Sequence, residues 1–119
     1  MRVLVCDDEP DIRLLYRSAF AAAGADVAVA EDGDRALELA AAWHPDLVVL
    51  DLRMPRRSGD DALPGFAHAC PGAAVVVVSA HLPVDQFSRM RELGACECFD
   101  KLDFLNRIPA LVERYARVA

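Results

Sequence analysis

Apolar positions along the chain gather into short unbroken runs, separated by longer stretches in which they recur every three or four residues. The runs are Arg2–Cys6, apolar after its arginine, Val27–Ala30, Leu47–Leu50 and Ala73–Val78, and Ala95–Phe99, interrupted by Glu97, is a last short strand. Runs this short, without strict alternation, predict strands buried on both faces, as in the middle of a parallel sheet. Helices are predicted between them: Pro10 to about Ala23, Asp34 to about Trp43, Asp60 to about Ala69, Pro83 to Leu93 and Leu102 to about Arg117. Pro10 suits a first helical turn, with Asp8, Glu9 and Asp11 placed well against the N-terminal dipole. Gly24 and Gly94 are natural stops, Asp32-Gly33 is a turn, and His44-Pro45 closes the second helix. Pro64-Gly65 predicts a weak or kinked third helix, and Pro109 predicts a kink or late start in the last. Leu14, Phe20 and Leu37 recur at helical spacing and are expected in the core, and Trp43 is expected to pack near a helix end. Five strands alternating with five helices imply a parallel sheet with right-handed crossovers and helices on both faces.

Composition narrows the class without naming a function. The 119 residues suffice for one domain, 1–119, with one real core. A hydrophobic share of 55% beside 27% charged residues argues for a globular chain. The apolar runs fall far short of the ~20 residues of a membrane span, so no membrane association is expected. No basic segment leads into a long apolar stretch, and the expected location is cytoplasmic. A net charge of −6 disfavours nucleic-acid binding by this domain alone; Arg53, Arg56 and Arg57 form a basic patch too small to alter that. The four cysteines, Cys6, Cys70, Cys96 and Cys98, match neither a disulfide framework nor zinc-ligand spacing and are expected reduced.

The chemistry lies at the strand ends. Strand one runs into Asp7-Asp8, strand three into Asp51, strand four into Ser79, and Lys101 follows strand five. A parallel sheet carries all of these to one edge, where open α/β folds bind ligands. Three carboxylates there would raise one another's pKa unless a cation neutralised them. Hard oxygen donors with open positions suit Mg²⁺ (or Mn²⁺). A carboxylate nucleophile with a metal, an ammonium and a hydroxyl around it is equipped for phosphoryl transfer to that carboxylate.

Asp7-Asp8, Asp51 with Met54-Pro55 and Gly59 after it, Ser79-Ala80 and Lys101 appear in that order, at intervals under which the sequence resembles the receiver domain of two-component response regulators. The resemblance covers essentially the whole chain. It implies a flavodoxin-like, doubly wound (βα)5 fold with strand order 2-1-3-4-5. It further implies that Asp51 accepts phosphate from a phosphohistidine on a histidine kinase or histidine phosphotransfer protein. Asp8, Asp51 and the backbone carbonyl of Arg53 would bind the metal directly, and Asp7 through water. Lys101 and Ser79 would contact the phosphoryl oxygens, and the small Ala80 would leave the approach open. Such a receiver catalyses only its own phosphorylation and dephosphorylation. Its output would pass to a partner, or to self-association, through the helix 4–strand 5–helix 5 surface, about Pro83 to Arg117.

Three departures from that pattern bear on switching. Cys98 stands where the family usually has an aromatic switch residue, and Phe99 should face the other side of the sheet. Leu102 replaces the usual proline after the lysine, which leaves Lys101-Leu102 either trans, or cis at about 2.5–4 kcal/mol. Arg53 and His81 occupy positions that border the phosphoryl group in the family; either they slow dephosphorylation or they are surface residues. Ile12 and Leu15 are either exposed docking residues or core. Two other readings compete with the switch. One is a degenerate receiver acting as a phosphorylation-independent interaction module, as Cys98 and Leu102 would suit. The other is a phosphohydrolase with an aspartyl nucleophile, disfavoured because no acid stands two residues after Asp51.

Overall fold

The computed structural model describes residues 1–54, 56–80 and 83–116. Five strands, β1 (Arg2–Cys6), β2 (Asp26–Ala30), β3 (Leu47–Asp51), β4 (Ala74–Ser79) and β5 (Glu97–Asp100), form one parallel sheet in the order 2-1-3-4-5. The parallel sheet is the one the alternation of elements implied, and the α/β, flavodoxin-like order is the one the resemblance implied. Every residue of β3 is buried, as its unbroken apolar run requires of a strand covered on both faces.

The helices are α1 (Pro10–Ala22), α2 (Gly33–Trp43), α3 (Gly59–Ala62), α4 (Phe66–Ala69), α5 (Phe87–Glu92) and α6 (Lys101–Ala116). One face of the sheet packs under α1 and α6, where Val3, Val5, Phe20, Val49, Val76, Phe104 and Ile108 are buried together. The other face packs under α2 to α5 through Leu4, Val48, Leu50, Leu63, Phe66, Val77 and Met90. Cys98 packs with this second cluster and Phe99 with the first, on opposite faces as the strand period demands. The four cysteines are free; Cys6 and Cys70 are buried and Cys96 is exposed.

The third helix is weak, as Pro64-Gly65 implied: two single turns, α3 and α4, are joined by a 3₁₀ turn at Leu63–Gly65, because Pro64 has no N–H to continue an α-helical ladder. Other local expectations need correction. The fourth helix is shorter than Pro83–Leu93: a 3₁₀ turn at Val84–Gln86 precedes α5. Of the two outcomes expected of Pro109, a kink or a late start, the late start does not occur. The helix starts on Lys101 and runs through the proline, its buried side Phe104, Ile108 and Leu111 seated on the sheet. Leu14 is not core but 66% exposed. The inward stripe of α1 is Ile12, Tyr16, Ala19 and Phe20, and at 100° per residue Leu14 falls on the far side. Leu15 is also exposed, Ile12 is half-buried, and Leu37 and Trp43 are half-buried against the second cluster. The Arg2 guanidinium lies 5.7 Å from the centre of the Trp43 ring. No peptide bond among the described residues is cis, so Lys101-Leu102 is trans.

Candidate functional site

Three local devices bring the strand ends to one rim. Leu47 and Val3 pair in register, as do Asp51 and Val78, so β1, β3 and β4 finish at nearly the same height. After β3 the chain doubles back, and the Gly59 N–H donates to the Leu52 carbonyl at 3.0 Å. A Cβ at Gly59 would stand 2.3 Å from the Asp51 carbonyl oxygen, so glycine is required for that close return. On the far side β5 passes into α6 without a loop, and the Asp100 carboxylate accepts the Leu102 N–H at 2.9 Å. That turn sets Lys101 at the head of α6, over the sheet edge.

The loop after Asp51 is also tied sideways to the start of α2. Gly33 N–H donates to the Arg57 carbonyl at 3.2 Å, and Arg57 Nε bonds Asp34 at 2.8 Å. Arg56, at φ 64°, places its guanidinium 3.3 Å from buried Asp32. Arg56 and Arg57 of the basic patch are therefore engaged with acids at the cap and first turn of α2.

At the rim, one carboxylate oxygen each of Asp7, Asp8 and Asp51 lie within 4.8 Å of one another. Asp7 and Asp51 are buried and Asp8 is exposed. Lys101 Nζ stands 3.0 Å from Asp7 Oδ2, 3.2 Å from Glu9 Oε1 and 3.3 Å from Asp51 Oδ2. Asp7 Oδ1 accepts the Glu9 N–H at 2.9 Å, and Asp51 Oδ1 accepts the Arg53 N–H at 3.2 Å. Burial, and then the charge of Asp7, push the Asp51 carboxyl up to about 6, against the opposing pull of the Arg53 N–H and Lys101. Burial alone would lower the Lys101 ammonium's pKa; its hydrogen bond to Asp7 and the charges of Asp51 and Asp7 outweigh that and hold it above the usual lysine range. The result is a buried negative centre that one ammonium only partly neutralises.

Asp8, Glu9, Asp51, Arg53, Ala80 and Lys101 line an open cleft of about 250 Å³. Its donor set of hard carboxylate oxygens fits a small divalent cation and lacks the nitrogen and sulfur ligands of zinc or copper sites. Asp7, Asp8, Asp51, Arg53, Ala80 and Lys101 are thus brought together as the sequence suggested. Ser79, buried, ends β4 beside the Asp51–Val78 pair. Cys98 lies away from the cleft lining, on the α2–α5 side of β5. His81 and Pro55 lie outside the described residues. Sequence reasoning set Glu9 against the helix dipole and did not foresee its contact with Lys101; its position directly after the acidic pair was the available signal.

A family model described as the response regulator receiver domain matches residues 3–113. The chain is 32% identical over 113 residues to the regulatory protein AtoC of Escherichia coli, covering 95% of this chain and 24% of that one. It is 29% identical over 114 residues to sporulation initiation phosphotransferase F of Bacillus subtilis, covering 96% and 92%. The chain thus spans about a quarter of the first of these relatives and nearly all of the second. Among solved structures, the receiver domain of the Francisella response regulator 1452 superposes with a TM-score of 0.90 at 26% identity, covering 99% of this chain and 98% of that one.

Proposed function

The chain belongs to the response regulator receiver domain family, and from that premise we propose that it is a phospho-accepting switch with Asp51 as its acceptor. The observation that carries this reading is the rim itself: three carboxylate oxygens within reach of one small ion, with the Lys101 ammonium beside Asp51. An Asp51 oxygen attacks the phosphorus of a phosphohistidine; a P–O bond forms as the P–N bond breaks, and the imidazole leaves with a proton. Water later attacks the resulting acyl phosphate, releasing inorganic phosphate and restoring the carboxylate. The chain catalyses these two steps on itself and no others.

Asp8, Asp51 and the Arg53 carbonyl would hold Mg²⁺ or Mn²⁺, with Asp7 acting through water. When bound, the ion would neutralise charge on the acids and on the transferring phosphoryl group. Lys101, placed at the head of α6, supplies a cation to the phosphoryl oxygens, and the Ser79 hydroxyl donates to them. Ala80 keeps the cleft mouth open, and Arg53 and His81 are placed along the chain to slow the entry of water. Receiver domains exchange phosphate with histidine kinases or phosphotransfer proteins and act on output domains or partners. For this chain the output surface would be α5, β5 and α6, working without an aromatic at Cys98. No helix among the described residues is long and apolar enough to cross a membrane; the working location would be the cytoplasm.

The test is incubation with a small acyl phosphate, with and without Mg²⁺, read by intact mass. A single phosphoryl adduct that needs Mg²⁺ and is lost in Asp51→Asn is expected. No adduct on the parent chain, with Mg²⁺ bound, would replace this reading by that of a degenerate module.

A further inference from the structure

Tyr16 lies on the inward stripe of α1, 2% exposed, and its hydroxyl has no hydrogen-bond partner among the described residues. A buried hydroxyl left unpaired carries the full cost of its lost hydration, which a phenylalanine in the same place would avoid. The ring itself is well packed, edge-on to Phe104 at 5.1 Å, and Phe104 follows Lys101 by three residues on α6. Side chains on a helix lean toward its N-terminus, which for α1 is the Asp7–Glu9 rim. The hydroxyl accordingly feels the charges of Lys101, Asp7, Asp51 and Glu9, and with burial as the larger cause its pKa is pushed up to about 12. It remains a protonated donor at any physiological pH, on the face of the sheet to which Val3 and Val5 turn and, two residues on, Asp7.

The unloaded site has little use for that donor, because Lys101 serves Asp7, Glu9 and Asp51 at once. The loaded site differs. If Asp51 takes a phosphoryl group, as proposed above, Lys101 turns toward its oxygens. Asp7 Oδ2 then loses its 3.0 Å ion pair while Asp7 stays 2% exposed. We propose that the Tyr16 hydroxyl is a positioning group for the loaded site, donating to Asp7 Oδ2 once Lys101 leaves it. It thereby holds the buried carboxylate in place beneath the metal and the acylated Asp51. The unpaired hydroxyl of one state becomes the needed hydrogen bond of the other, which biases the chain toward the loaded form.

This inference rests on the phosphoacceptor reading, and the experiment separates the two. Parent and Tyr16→Phe are unfolded by heat without ligand, then titrated with beryllium fluoride, a phosphoryl mimic, at saturating Mg²⁺. Without ligand the variant's midpoint should rise by a few degrees, since an unpaired hydroxyl has gone. With the mimic its apparent affinity should fall about tenfold, the loss expected for one hydrogen bond to a charged group. A merely structural tyrosine would move both readings the same way. Equal affinity in parent and variant overturns the inference and leaves the acceptor role standing. A parent that binds Mg²⁺ but not the mimic overturns both. Phe104→Leu, which loosens the ring and keeps the hydroxyl, should lower the unfolding midpoint with little change in affinity; an equal tenfold loss there would assign the effect to packing and refute the hydroxyl's role.

Discussion

Asp51 is more costly to the folded chain as a carboxylate than as a neutral group, and Asp51→Asn turns that into a measurement. Its carboxyl pKa is raised from 3.8 to about 6 by burial and by Asp7, so the folded state holds that proton more tightly than the unfolded state does. Stability from this group is therefore greatest below about pH 4 and is lost as pH rises through about 6. Two units correspond to about 2–3 kcal/mol, a net figure that already includes the Arg53 and Lys101 contacts. Asparagine has nearly the same shape and no charge. Without Mg²⁺ the variant should exceed the parent by about that amount above pH 6, and the excess should shrink toward zero between pH 6 and pH 4. Lys101, held above the usual lysine range, stays charged throughout that window and adds no slope. Urea unfolding in a chelating buffer from pH 4 to 8 gives the curve. An excess independent of pH, or a variant less stable than the parent at pH 7.5, would refute the charge argument.

Further consequences can be checked with the same unfolding assay and metal titration. Lys101→Met leaves buried Asp7 and Asp51 without their cation and should cost about 3–5 kcal/mol without metal; Mg²⁺ should then stabilise the variant more than the parent, and equal stabilisation would contradict the neutralisation account. Gly59→Ala forces backbone 2.3 Å from the new Cβ to move; a loss of about 1–3 kcal/mol and weaker Mg²⁺ binding by calorimetry are expected, and an unchanged variant would mean the loop after Asp51 is not fixed by that close approach. Phe20→Ala should cost about 3–5 kcal/mol in urea, whereas Leu14→Ala should stay within about 0.5 kcal/mol; the reverse order would show the wrong face of α1 turned inward.

The rim was legible because strand ends in a parallel sheet must share an edge, so Asp7, Asp8, Asp51, Ser79 and Lys101 needed only the alternation of elements to be placed. The phase of α1 was not legible: Leu14, Leu15 and Tyr16 are consecutive, and such a run does not say which side faces the sheet. Packing of Tyr16 against Phe104 decides it, a contact between residues 88 positions apart. For a related reason Pro109 does not delay the start of α6: the seating of Phe104, Ile108 and Leu111 overrides the local preference. The tie between the Asp51 loop and α2 was hidden because Arg56 and Arg57 find Asp32 and Asp34 more than twenty residues earlier in the chain. Glu9 was hidden by its exposure: a surface acid reads as solvated until the lysine it meets is known.

Borohydride reduction after incubation with acyl phosphate and Mg²⁺ is the most direct test of the central claim. It converts an aspartyl phosphate to homoserine, which peptide mapping then locates. The account predicts homoserine at residue 51, dependent on both Mg²⁺ and the phosphodonor; its absence there, or its appearance at Asp7 or Asp8 instead, would contradict it.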